Sequence, residues 1–379
     1  MIKIVYCIDS LKNSGGTERV TTTKVNWLAR CGKVDVTVIT QDEEDPPFFA
    51  LDEAVHLVRL HVASGDRKAY RVALALILET LRPDICLAVS GMAVGVLYKM
   101  TDGSCKMIEF HYTRNFLVNF VRGISHLRFK QLHLIKMRWL QWKLARTARH
   151  YDCMVGLTKR DVELWGSPKN MTYVYNPLSF RSEKKSTCEN KRIIAVGSWT
   201  PAKGMDQLLE AFAQIAHQYP DWHVDLYGSG QDEQLLRDII TVNHMEGQVT
   251  LHEPSTCIAD KLVESSIYAF PSRSDGFGLV ITEAMECGLP TVAMDCECGP
   301  REIVTSNTGI IVPDKDITAY AHALERLITD EPLRKRMGKC ASEEVKRFYP
   351  DCIMPQWIEI FNRLLPPPQI TYRNTISTM

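Results

Sequence analysis

The stretch RIIAVGSWTPAKGMDQLLEAFAQIAHQYPDWHVDLYGSG runs from Arg192 to Gly230. It opens on an apolar strand pattern, passes a loop holding Lys203 and Gly204, and continues as an amphipathic helix from Met205 to Pro220. It closes on a second apolar strand, WHVDLYGSG. Short strands of this kind joined by a helix predict a parallel pair with the helix laid across one face.

The same order stands at the start of the chain, as IKIVYCI, the loop NSGGTER, a helical stretch through KVNWLARCG, and VDVTVIT. Beyond Gly230 the alternation continues. VTLHE, IYAFPS, TVAMD and GIIVP read as strands, and helices centre on ADKLVESS, LVITEAMEC and ITAYAHALERLI. Two such series in 379 residues predict an α/β chain of two doubly wound domains facing one another. The break falls in NPLSFRSEKKSTCENK, where Pro177 and a polar run interrupt the pattern. The expected domains are therefore 1–178 and 179–350. Residues 351–379 supply a closing helix that packs back on the N-terminal domain, then a disordered tail, PPPQITYRNTISTM.

Composition narrows the function. Lys plus Arg and Asp plus Glu number 45 each, so net charge predicts no nucleic-acid partner and any charge argument is local. Twelve cysteines include no CxxC pair, and Cys296 with Cys298 lacks a second pair at zinc spacing. Reduced, mostly buried thiols are the expected state. The opening MIKIVYCID is too short and uncleavable to be a signal peptide, and no apolar run matches a membrane span. A soluble, cytoplasmic enzyme is the expectation.

In open parallel sheets ligands gather beyond the carboxyl ends of the strands. Three loops there carry suitable chemistry. Gly15 and Gly16 allow close backbone approach at a helix start, although a plain turn explains the pair equally well. Lys203 and Gly204 could meet a phosphate, although a solvated lysine is the commoner case. The third loop lies in SRSDGFGLVITEAMECGLP, from Ser272 to Pro290. There Asp275 precedes Gly276, Phe277, Gly278 and Leu279, and Glu283 lies roughly 7 Å further along the helix from Gly278. Asp275 as a helix cap and Glu283 in solvent is the bland alternative. Yet Glu283 sits among Leu279, Val280, Ala284 and Met285, a costly place for an unpaired acid. Two acids around a helix start suit a polyhydroxy ligand that carries phosphate.

The segment SRSDGFGLVITEAMECGLPTVAMDCECGPREIV resembles the signature of the family-4 retaining glycosyltransferases of the GT-B fold, of the kind found in bacterial polysaccharide and glycolipid biosynthesis. GGTERV, VGSWTPAKG, NPLSF and GIIVPDKD extend the resemblance over nearly the whole chain. It implies that Glu283 bonds the ribose hydroxyls of a nucleotide-sugar and Asp275 the transferred sugar. Amides from Gly276 to Leu279 would meet sugar and diphosphate, Lys203 the diphosphate, and Gly16 the closing N-terminal loop. His111, in MIEFHYTRN, would lie beside the transferred sugar; alone, a histidine is more often structural.

Two departures stand out. The first acid is Asp275 where the family has Glu, and Ser198 stands where it usually has Arg. Arg273 or Arg301 is the expected replacement for that cation. Asp314 and Asp316 have the spacing of a metal-binding DxD, but Asp316 precedes a helix and reads as its cap. No metal or other cofactor is expected, because Lys203 and helix amides would meet the leaving charge.

Phe110 to Tyr151 contains nine Lys or Arg and no Asp or Glu. Arg128, Leu132, Lys136, Trp139, Lys143 and Arg146 share one helical face. Such a face is often merely solvated; it also suits an anionic membrane or a pyrophosphate-linked lipid. The expected function is retaining transfer from a nucleotide-sugar, a UDP-sugar by resemblance, to a hydroxyl of a glycan or polyprenyl-linked glycan. The setting would be the cytoplasm, with peripheral docking on the inner face of its membrane. A nucleotide-sugar epimerase or hydrolase, and a catalytically weak nucleotide-sugar-binding subunit, are the alternatives.

Overall fold

A computed structural model describes residues 1–41, 45–123 and 129–365. Arg128 and the tail after Leu365, with the disorder expected of it, lie outside the described residues. The first sheet comprises β1 (Ile2–Cys7), β2 (Val34–Thr40), β3 (His56–Arg59), β4 (Ile85–Ala88), β5 (Cys105–Glu109), β6 (Cys153–Gly156) and β7 (Met171–Tyr173). Its order is β3-β2-β1-β4-β5-β6-β7. The second comprises β8 (Arg192–Val196), β9 (His223–Tyr227), β10 (Val249–His252), β11 (Ile267–Phe270), β12 (Thr291–Asp295) and β13 (Gly309–Pro313), ordered β10-β9-β8-β11-β12-β13. Every pairing is parallel.

Both sheets are covered on both faces, which is why their strands read as apolar runs. Along β1, Ile4 and Tyr6 point into one core with Val25, Leu28 and Trp357, while Val5 and Cys7 point into another with Leu74 and Leu78. In β8, Ile193 and Ala195 divide from Ile194 in the same way. This is the period of two that a strand dictates.

The helix after β8 is shorter than its pattern suggests. It runs Met205–Ala213 and tightens into a 3-10 turn at Ala216–Gln218, with Ile215 N–H bonding back three residues to Phe212. No helix or strand occupies 174–191, a span that includes NPLSFRSEKKSTCENK. The last helix, Pro350–Leu364, packs on the N-terminal unit, and Ile353, Met354, Trp357, Ile360 and Phe361 complete its core. In each sheet the strand order reverses at one place, between β1 and β4 and between β8 and β11. Arg19, in the helix that follows β1, bonds Glu283, in the helix that follows β11, so elements beside the two switch points meet.

Candidate active site

The loops after β8 and β11 flank the second switch point, where diverging crossovers leave a crevice. They bring Lys203 and Asp275, 72 residues apart, to 2.5 Å between Nζ and Oδ2. Backbone bonds fix the pairing, since Arg273 and Ser274 N–H groups donate to the Ala202 carbonyl at 2.9 and 3.2 Å. Gly204 lies at φ 65°, and a Cβ there would collide with the Pro271 carbonyl oxygen. Only glycine allows the two loops this close an approach.

Asp275 also accepts from the Phe277 and Gly278 N–H groups, at 3.2 and 3.0 Å. This local bond suits the short side chain of aspartate, and it occupies two of the amides expected to face a donor. Burial opposes the charge of Asp275, but Lys203 and the two N–H groups outweigh it and hold the carboxyl below its ordinary range. Burial likewise opposes the charge of Lys203, and Asp275 overrides it and raises the ammonium pKa.

Glu283, in the helix Leu279–Glu286, is 1% exposed. It is not in solvent, and its Oε1 accepts from Arg19 Nη1 at 2.6 Å and Ser179 Oγ at 2.7 Å. Arg19 stands in the first turn of the helix Gly16–Arg30, so this is a bond between domains. Gly15 precedes that helix with extended backbone, and a Cβ on Gly16 would meet nothing within 4 Å.

From the N-terminal side, the loop after β5 brings His111 against the Asp275 loop. A Cβ on Gly276 would lie 2.6 Å from the His111 carbonyl oxygen. The His111 ring is buried, with Nε2 3.4 Å from Glu109 Oε1 and no hydrogen-bond partner among the described residues. Burial, only partly offset by Glu109, pulls its pKa down to about 4. Its ring is therefore neutral at physiological pH. Glu109 is in turn bonded by the wholly buried Lys24, whose ammonium lies 4.4 Å from the Trp357 ring centroid.

Further contacts bind the two domains beside these groups. Glu297 accepts from Asn115 and Asn119 at 2.5 and 3.0 Å. Glu302 accepts from the Lys159 and Arg160 N–H groups at 3.0 and 2.9 Å and from Tyr175 Oη at 2.9 Å.

Arg273 and Arg301, the candidates for the cation missing at Ser198, each hold a carboxylate in this structure. The Arg273 fork grips both oxygens of Asp206 at 2.7 Å, and Arg301 is bound by Asp295. Each guanidinium finds a carboxylate matching its fork within its own domain. Ser198 itself is exposed, 3.5 Å from Thr200 Oγ1. Asp316 caps the helix Ile317–Thr329 by accepting from Ala319 N–H at 2.8 Å. Among the described residues no cluster of three His, Cys, Asp or Glu is placed to hold a metal ion.

Sequence reasoning did not find Arg19, Ser179, Lys24 or Glu109. Arg19 follows the glycine pair directly, and Lys24 falls on the apolar face of its helix, between Val20 and Leu28; both were available signals.

Residues 179–344 match the family model described as Glycosyl transferases group 1. An uncharacterized glycosyltransferase of Haemophilus influenzae is 28% identical over 355 residues, covering 89% of this chain and 94% of that protein. The amylovoran biosynthesis glycosyltransferase AmsD of Erwinia amylovora is 25% identical over 374 residues, covering 96% and 100%. A crystal structure of an S. aureus TarM variant, in complex with fondaparinux, alpha-GlcNAc-glycerol and UDP, superposes with a TM-score of 0.77 at 13% identity, covering 96% and 100%. The fold is GT-B, and the match to the group 1 model is confined to the second domain.

Proposed function

We propose that the chain transfers a sugar, with retention at the anomeric carbon, from a UDP-sugar to a hydroxyl of a glycan or lipid-linked glycan. The observation that carries this reading is the Lys203–Asp275 pair at the switch point, with the His111 carbonyl oxygen close against Gly276 of the same loop and Glu283 eight residues beyond Asp275. In this reading Lys203 leaves Asp275 for the diphosphate and stabilises its charge as the glycosidic bond breaks. Asp275 then accepts from a sugar hydroxyl and Glu283 from the ribose hydroxyls. The neutral His111 faces the sugar without adding a like charge to the forming cation. The acceptor hydroxyl enters on the side the diphosphate leaves, and its proton passes to the leaving phosphate, so no protein nucleophile is needed. UDP is favoured because the TarM complex contains it and the sequence resemblance points the same way.

Calorimetric titration with UDP, GDP and ADP, followed by turnover of UDP-sugars on glycan and lipid-linked acceptors, tests the proposal. UDP should bind tightest, and the product should keep the donor's anomeric configuration by NMR. An inverted product refutes retention. Wild-type UDP affinity in both Lys203→Ala and Glu283→Ala refutes the site.

A further inference from the structure

The helix Lys130–Ala148 has two unlike faces. Inward, Gln141 and Ala148 are buried, and Gln141 Nε2 donates to the Arg114 carbonyl and lies 3.4 Å from Asn115 Oδ1. This side holds the loop that begins at His111.

Outward stand Leu132, Ile135, Trp139 and Trp142, spaced three, four and three residues apart and so forming one stripe. They are 63%, 61%, 55% and 55% exposed, the densest run of large exposed apolar side chains in the described chain. The stripe is about 15 Å long at the helical rise. Around it stand Lys136, Arg138, Lys143 and Arg146, all exposed. Among the described residues no carboxylate lies within ion-pair reach of these four. Lys143 Nζ is 5.3 Å from the Trp139 ring centroid and Arg146 Cζ 5.7 Å from that of Trp142, so the cations lie against the indoles.

We infer that this face docks on an anionic lipid surface, with the indoles at headgroup depth and the four cations among phosphates. Charge complementarity selects that occupant, since the whole run from Phe110 to Tyr151 holds nine basic residues and no acidic one. A second copy is a poor match. Two-fold pairing would press this cation cluster onto its identical counterpart with no carboxylate between them. No helix among the described residues is long and apolar enough to cross a membrane, so the attachment is peripheral. Since Gln141 grips the loop from the opposite side, docking sets His111–Asn115 roughly one helix diameter, ~10 Å, from the lipid. The inference needs neither donor nor acceptor, so it stands or falls apart from the transfer reaction.

The test is co-sedimentation of the full chain with phosphatidylglycerol–phosphatidylcholine vesicles and with phosphatidylcholine vesicles alone. Binding is expected only where phosphatidylglycerol is present, and it should weaken with added salt. At about fivefold per basic charge lost, Lys136→Glu/Lys143→Glu should lower the partition at least ~25-fold. Trp139→Ala/Trp142→Ala should also reduce it. Equal binding to both vesicle types overturns the inference, as does full binding by the charge-reversed variant. A wild-type dimer in sedimentation velocity that Trp139→Ala/Trp142→Ala dissociates overturns it in favour of a second copy. Should a variant fail to fold, the wild-type comparison between vesicle types decides alone.

Discussion

Removing Lys24 should unfold the N-terminal domain far more readily than its single ion pair suggests. Its side chain is 0% exposed and that of Glu109 1%, with the indole of Trp357 closing the other side. In Lys24→Met the carboxylate keeps one neighbour able to carry charge, His111 at 3.4 Å. Breaking a buried pair from one side costs about 3–5 kcal/mol, because the remaining charge stays desolvated. His111 offers partial relief. Burial lowers its pKa most, Glu109 opposes this and Lys24 adds to it, so losing Lys24 moves the ring toward protonation. The expected loss is therefore near 3 kcal/mol, or ~6–12 °C in the melting midpoint of a domain this size. Replacing both partners, as Lys24→Met/Glu109→Leu, should restore most of it, since an apolar pair leaves nothing unsatisfied. Urea denaturation of the wild type, both single variants and the double variant closes the cycle. A double variant whose loss equals the sum of the singles would refute the reasoning, as would a Lys24→Met cost below about 1 kcal/mol.

Other expectations follow from the same geometry. Lys203→Ala should lower turnover by about 10²–10³-fold, the usual cost of losing one preorganised contact to a developing charge, measured under saturating donor. Ser198→Arg should tighten UDP binding by roughly tenfold or more, as a charge-assisted contact would; calorimetry reads this, and unchanged affinity would mean that another cation already serves. The low pKa of His111, about 4, makes the unfolded chain bind the extra proton between pH 4 and 6.5. Stability present above pH 6.5 is lost as pH falls through that window, by about 3 kcal/mol, and His111→Gln should abolish that loss in pH-dependent urea melts. Asp161, in the first turn of the helix Lys159–Leu164 and accepting from Arg114 N–H, has the opposite sign: burial raises its pKa to about 6, so its ionisation costs stability as pH rises from about 4 to 6. Asp161→Asn should remove that cost, which would show as a relative gain at pH 7 that vanishes near pH 4.

The fold was legible because both sheets are parallel and buried, so their longer strands are apolar runs separated by helix-length segments. Shorter strands were harder to read. The β7 strand has three residues and β6 four, too few to display a period, and pairing with a neighbour defines them. Lys203, Asp275 and Glu283 could be placed because strand-to-helix loops at a switch point are fixed by topology. Their partners could not. Arg19 meets Glu283 across 264 residues and Lys24 meets Glu109 across 85, and no local pattern encodes such distances. The same limit explains Arg273 and Arg301. Both lie in the right loops, but their carboxylate partners, Asp206 and Asp295, are set by the tertiary structure.

The groups proposed to meet the donor already satisfy one another, and this shapes how a donor must enter. Asp275 holds Lys203, and its second oxygen holds the N–H groups of Phe277 and Gly278. Glu283 is held by Arg19 from the opposite domain and by Ser179 from the linker. A diphosphate therefore competes with Asp275 for Lys203, and a ribose hydroxyl that takes Glu283 Oε1 competes with Arg19. The second exchange breaks a bond between domains, so ribose binding is coupled to the Arg19 latch, whereas the first stays within one domain. Losing a charge-assisted contact at 2.6 Å costs about 1.5–3 kcal/mol, and that cost falls on nucleotide binding. Arg19→Ala should accordingly raise UDP affinity if the latch only competes for Glu283. It should lower UDP affinity if the freed guanidinium turns to the diphosphate and supplies the cation that Ser198 cannot. Combining Arg19→Ala with Ser198→Arg separates these cases, because a restored cation rescues affinity only in the second.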